Sequence, residues 1–306
     1  MSIPFLKVQG AGNDFVLIDA LGKNAHRAEL DWPALAPRIC DRHIGVGADG
    51  ILIARDSDLA PARMEIVNAD GSDGDMCGNG LRCFVKYLIE RSGVRPVGDS
   101  ISIETGAGVL EAYVFDWENG LVDIVTVDMG PAILDPERIP LRHEGPGPVL
   151  EHLIEFPLGV VDFTCVSMGN PHAVWFMDGE FQDVDDFALD AYGPLIETNP
   201  DFPSKTNVEI VNVLSPSHLK MRVWERGVGL TQACGTGACA VMVAARLRGL
   251  VGESATVSMP GGDVEVLWQG REDPSESVFM TGEARFSFEG ILDHNLLSLP
   301  DERMDN

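Results

Sequence analysis

Alternating and helically spaced apolar residues divide this chain into segments that recur. Phe5-Leu6-Lys7-Val8-Gln9 and Phe15-Val16-Leu17-Ile18-Asp19 read as strands on either side of a Gly-rich turn that carries Asn13. Trp32 to Cys40 is expected to be helical behind an Asp31 cap, and Ile51-Leu52-Ile53 and Met64 to Asn68 are further strands. After Cys77, apolar Leu81, Phe84, Val85, Leu88 and Ile89 recur at helical spacing until Gly93, which predicts a largely buried helix. From Ser100 to Met129 the period drops to two, with Gly and Asn-Gly turns, and antiparallel hairpins are expected. Pro131 through Pro148, rich in Pro and Gly, reads as the crossing into a second half. There the order returns: a turn at Gly169-Asn170, a helical stretch, strands near Val208 to Val213 and Met221 to Trp224, a helix after Cys234, and hairpins from Ala255. Pro300 to Asn306 reads as a solvated tail.

The recurrence carries a chemical label. Cys77-Gly78-Asn79-Gly80 returns as Cys234-Gly235-Thr236-Gly237, and Gly12-Asn13 returns as Gly169-Asn170. Both pairs are 157 positions apart, so no net insertion separates them. A constant offset argues for two homologous halves facing one another, each contributing an Asn and a Cys.

Composition narrows the class. A chain of 306 residues, 45% of them hydrophobic, has enough apolar content for two domain cores. The formal charge of −26, with no visible basic patch, argues against a nucleic-acid partner. Met1 to Gly12 lacks a basic, apolar leader and no segment reads as a membrane span, so a cytoplasmic protein with no membrane partner is expected. Six cysteines are too sparse for a disulfide framework. Cys40, Cys83, Cys165 and Cys239 lie among apolar neighbours and are expected to be small buried hydrophobes.

Cys77 and Cys234 are different. A Gly after the Cys lets the backbone turn tightly into a helix, whose first N–H groups have no partner within the helix. Two such helix starts converging from opposite halves would cradle a carboxylate, and the same field is expected to lower a thiol pKa. Inverting a stereocentre beside a carboxylate needs a base on one face and an acid on the other, and a thiolate–thiol pair meets that need without metal or pyridoxal. The rival class, a thiol redox or metal-binding module, is weakened because neither copy contains Cys-x-x-Cys.

These residues closely resemble the diaminopimelate epimerase family over nearly the whole chain. The matching stretches are Gly10 to Phe15, Asn68 to Ser72, Met76 to Cys83, Gly169-Asn170-Pro171-His172, Thr206-Asn207-Val208, and Glu225-Arg226-Gly227 leading to Ala233 to Gly237. The resemblance implies an α+β fold of two pseudo-symmetric domains, each a mixed sheet curled around a central helix. It places residues 1–131 in the first domain, with 283–306 returning to it, and 132–282 in the second. Cys77 and Cys234 would be the acid/base pair, with Gly78, Asn79, Gly235 and Thr236 holding the reacting carboxylate. Asn13, Asn68, Asn170, Asn207, Glu225 and Arg226 would recognise the other polar groups, and His172 and Glu225 would assist proton transfer. Gly50 stands where some members carry a ligand-reaching Gln. The implied activity is interconversion of LL- and meso-diaminopimelate in lysine and peptidoglycan-precursor synthesis, with no cofactor and a homodimer as the expected assembly. The alternative is a racemase of the same fold acting on a monocarboxylate such as proline or histidine. Arg226 with Asn207 argues for a second carboxylate, and a His in place of Asn79 would mark the proline type.

Overall fold

Ala11 and Gly12 both adopt left-handed backbone angles, φ 52° and 77°. They form the two-residue turn that joins strands β1 (Ile3–Gly10) and β2 (Asn13–Ala20) as an antiparallel hairpin. In the computed structural model, which describes residues 2–74, 76–115, 117, 119–157, 159–177 and 183–298, this hairpin begins the first of two units. That unit comprises residues 1–127 and 283–306, and the other comprises 128–282.

The first unit continues through a 3₁₀ segment (Gly22–Glu29) and helix α1 (Trp32–Ile39), whose first turn is capped by the Asp31 carboxylate accepting from Ala34 N. Strands β3 (Gly50–Arg55), β4 (Arg63–Asn68) and β5 (Asp73–Gly74) lead to helix α2 (Gly78–Tyr87), and β6 (Ser100–Thr105) and β7 (Gly108–Tyr113) follow. Strand β8 (Ile124–Pro131) carries the chain across the boundary at 127/128. Every residue of α2 is buried, including Arg82 and Lys86. The helical path expected to reach Gly93 does so through a wider turn at Leu88–Ser92, ended by Gly93 in the left-handed region.

The second unit holds β9 (Val149–Phe156), β10 (Gly159–Ser167), β11 (Pro171–Phe176), α3 (Leu189–Glu197), β12 (Asn207–Ser215), β13 (His218–Glu225), β14 (Gly229–Leu230), α4 (Gly235–Leu247), β15 (Ser254–Met259), β16 (Gly262–Trp268) and β17 (Ser277–Glu283). α4 is buried without interruption from Gly237 to Ala245, a run of small and apolar residues enclosed on all sides. Strand β18 (Arg285–Leu292) then pairs antiparallel with β1, and a short helix α5 (His294–Leu297) follows. The tail expected at 300–306 lies outside the described residues. Among the described residues no helix is long and apolar enough to cross a membrane.

Strand pairing is the same in both units. β18, β1, β2, β3, β4, β6 and β7 join by antiparallel, antiparallel, parallel, antiparallel, parallel and antiparallel ladders. β9, β10, β11, β12, β13, β15 and β16 repeat that series. The registers repeat too: Phe15 pairs with Gly50 and Leu17 with Leu52, while His172 pairs with Asn207 and Val174 with Glu209, each 157 positions later. The chain is therefore the duplicated α+β fold that its motifs imply.

Alternation along these strands decides which side chains reach the central helix. Ile51 and Ile53 pack with Trp32 and Ile39 of α1, which leaves Leu52 on the α2 face, against Gly80. In the second unit Val208 and Ile210 join Phe163, Trp175 and Leu189 in a core, which leaves Glu209 on the α4 face, against Gly237.

Candidate active site

In the first unit Cys77 is the residue before α2, with extended backbone angles (φ −142°, ψ 113°). Its sulfur accepts from Gly80 N at 3.4 Å and donates to Asn13 Oδ1 at 3.3 Å. Leu81 N is taken by Cys77 O, and helix geometry leaves the Gly78 and Asn79 N–H groups without an intrahelical acceptor. The amide of Asn13 is oriented by charge: its Nδ2 donates to Asp49 Oδ2 at 2.7 Å, which turns Oδ1 toward Cys77 and toward Asn79 Nδ2 at 3.4 Å. Asp49 is fixed in turn by Arg42, whose Nη2 donates to Oδ1 at 2.8 Å. Asn79 Oδ1 accepts from the buried Arg82 Nη2 at 2.9 Å. Asn68 lies exposed at the end of β4, donating to Ser72 Oγ at 3.0 Å. A Cβ on Gly50 would sit 2.8 Å from Val67 O, so this backbone admits no larger side chain there.

The second unit builds the same cap. Cys234 precedes α4 with φ −133° and ψ 112°, and its sulfur accepts from Gly237 N at 3.3 Å. Ala238 N is taken by Cys234 O, and the N–H groups of Gly235 and Thr236 stand where those of Gly78 and Asn79 do. The surroundings differ. Thr236 Oγ1 lies 3.5 Å from Cys234 Sγ and accepts from Asn170 Nδ2 at 3.4 Å. Asn170 Oδ1 lies 2.9 Å from His172 Nε2, and His172 Nδ1 lies 2.7 Å from Glu209 Oε1. The thiol expected to be acidified at its helix start is instead pushed well above the ordinary thiol value. Burial is the largest cause, followed by the carboxylates of Glu225 and Glu209, which outweigh the hydrogen bonds from Thr236 and Gly237.

Asn207, buried at the start of β12, donates through Nδ2 to Pro171 O at 2.9 Å and accepts at Oδ1 from Arg226 N at 2.8 Å. It thereby holds the backbone from which the exposed Arg226 side chain extends, and that guanidinium donates to Ser204 O at 3.2 Å. Glu225 accepts from Thr231 Oγ1 and lies beside Cys234.

Cys40, Cys83, Cys165 and Cys239 are buried. Burial pushes the Cys40 and Cys83 thiols up to about 12 and raises Cys165 further. Asp49, Arg42 and Glu209 were not among the residues that the motifs single out. Glu209 had a signal, as a carboxylate inside the apolar run Val208-Glu209-Ile210-Val211.

The fold and this paired cap define a class. The solved structure of a probable proline racemase from Agrobacterium radiobacter superposes with a TM-score of 0.66 at 18% identity, covering 95% of this chain and 92% of that one. The family model described as diaminopimelate epimerase matches residues 5–134 and 164–287, one Cys-Gly-x-Gly run in each stretch. The chain is 45% identical to the diaminopimelate epimerase of Carboxydothermus hydrogenoformans, over 94% of this chain and 98% of that one. It is 46% identical to that of Pelotomaculum thermopropionicum, over 94% and 97%. The chain belongs to the diaminopimelate epimerase family.

Proposed function

We propose that this chain interconverts LL- and meso-diaminopimelate without a cofactor, using Cys77 and Cys234 as acid and base on opposite faces of one α-carbon. The observation that carries the reading is the paired cap: each cysteine sulfur accepts from the N–H three residues into its helix, at 3.4 Å and 3.3 Å, in two units of the same fold. In each direction one sulfur, as thiolate, takes the α-proton, and the other, as thiol, delivers a proton to the opposite face. Negative charge gathering on the substrate carboxylate meets the N–H groups of Gly78, Asn79, Gly235 and Thr236 and the positive ends of two helices.

Asn13, Asn68, Asn170, Asn207, Glu225 and Arg226 then recognise the remaining amine and carboxylate, with His172 and Glu225 beside the reacting groups. The domains 1–131 with 283–306 and 132–282 would each supply one face. The reaction would serve lysine and peptidoglycan-precursor synthesis in the cytoplasm, and a homodimer is the proposed assembly, which light scattering of the purified protein tests. The deciding experiment is turnover of purified protein on LL-diaminopimelate in D₂O, with chelator and no added cofactor. Deuterium at the α-carbon of the meso product supports the reading. Faster turnover of proline or histidine than of diaminopimelate would replace it with the monocarboxylate racemase.

A further inference from the structure

The duplication supplies its own control for every side chain near the two cysteines. On the face of the sheet turned to the central helix, the first unit places Phe15 and Leu52, both buried. At the same registers, 157 positions on, the second unit places His172 and Glu209, each 0% exposed. An apolar pair therefore satisfies this fold at these two positions. A buried carboxylate is costly there, and only close partners offset that cost. Glu209 has one such contact, 2.7 Å from Oε1 to His172 Nδ1, while its Oε2 is buried without a hydrogen-bond donor among the described residues.

We propose that Glu209 is a positioning residue for the epimerisation, acting through His172 on the polar chain that ends at Cys234. The proposal rests on the epimerase reading above. A carboxylate accepts and does not donate, so the Nδ1 of His172 carries the hydrogen of their contact. That fixes the plane of the ring and brings Nε2 to 2.9 Å from Asn170 Oδ1, which accepts from it when that nitrogen too carries a hydrogen. With its oxygen held there, the Asn170 amide presents Nδ2 to Thr236 Oγ1 at 3.4 Å, next to the Cys234 sulfur at 3.5 Å. In the first unit Asp49 orients Asn13 directly, and the amide turns the other way, with its oxygen toward the sulfur of Cys77. Each catalytic cysteine thus has a neighbouring asparagine set by a carboxylate, and the histidine inserted in the second unit reverses the amide. Gly237 leaves the room for this: a Cβ on it would lie 2.9 Å from Glu209 Oε1.

Three variants and one spectroscopic signal test the assignment. Glu209→Gln keeps size and removes the charge; it is expected to fold, to lose kcat by about 10- to 100-fold and to change KM less than about threefold, as loss of an orienting partner does. The double variant His172→Phe with Glu209→Leu copies the first unit. It is expected to melt at or above the wild-type temperature while turnover is lost, which a merely structural pair would not do. In ¹⁵N-histidine spectra, wild-type His172 is expected to show a strongly hydrogen-bonded Nδ1–H that is weakened in Glu209→Gln. Should Glu209→Gln fail to fold, Glu209→Asp, which keeps the charge and lengthens the contact, is expected to fold with the same loss confined to kcat. Wild-type kcat in a folded Glu209→Gln variant, or a double variant that melts well below wild type, would overturn the proposal. If the wild type did not turn over diaminopimelate, the proposed function would fail, and an unchanged Nδ1–H signal in Glu209→Gln would separately overturn the positioning.

Discussion

The sulfur of Cys234 lies 3.3 Å from the amide nitrogen of Gly237, and a Cβ added to that glycine would lie 3.2 Å from the sulfur and 2.9 Å from Glu209 Oε1. Gly237→Ala must therefore move either the thiol or the carboxylate. We expect it to destabilise the protein by about 1–3 kcal/mol, as overpacking does, and to lower turnover. Gly80→Ala meets a Leu52 methyl at 3.2 Å, a flexible apolar neighbour, and is expected to cost less. Urea denaturation of the two variants checks the order; a less stable Gly80→Ala would contradict it.

Cys77→Ser and Cys234→Ser retain a small polar side chain before each helix, so the fold is expected to persist. Turnover is expected to fall by at least about 10³-fold in each, because an alcohol is a far poorer proton donor and base than a thiol at neutral pH. Steady-state rates beside thermal melts provide the check. Near-wild-type turnover in either variant would end the two-cysteine mechanism.

Arg226 extends from a backbone that Asn207 holds, and its guanidinium can grip a carboxylate with two parallel hydrogen bonds. Arg226→Lys loses that fork. KM for diaminopimelate is expected to rise by about tenfold, roughly 1.4 kcal/mol, with a smaller change in kcat. Substrate titrations of both proteins test this, and an unchanged KM would remove Arg226 from recognition of the distal carboxylate.

Burial raises the Cys40 and Cys83 thiols to about 12. A thiol whose folded pKa lies above its unfolded value keeps its proton in the native state while the unfolded chain releases it. The stability this contributes is complete below about pH 9 and is lost as pH climbs toward 12. The urea midpoint is expected to hold steady from pH 7.5 to 8.5, as far as these thiols govern it, and then to decline, with a shallower decline in Cys83→Ala. A midpoint that rises between pH 9 and 11 would reverse the sign.

The elements around both Asn turns and both cysteines were legible because their periods are clean and occur twice. Strand β9 was not: it buries His152 and exposes Leu153, against hydropathy, because His152 Nε2 meets Asp201 Oδ2 at 3.0 Å. The cysteines and the paired asparagines declared themselves by identity at a fixed offset. Glu209 did not, because its counterpart is Leu52: the two positions share the offset of 157 but not their chemistry, and the shared register confirms that they correspond. Nor does sequence alone show the direction of the Cys234 shift, which depends first on burial and then on Glu225 and Glu209 reaching it from two different strands.

The pairing of β18 with β1 sets an order of events during synthesis. β1 leaves the ribosome before the whole of the second unit, and its partner, Arg285–Leu292, leaves after it. Until those residues emerge, β1 offers an unpaired edge, with Ile3 and Phe5 beside it, to any strand that meets it. The second unit is contiguous and can close as it is made. The first, although begun earlier, is finished last, so a ribosome stalled after residue 283 would release a chain with one unit whole and the other still open at its edge.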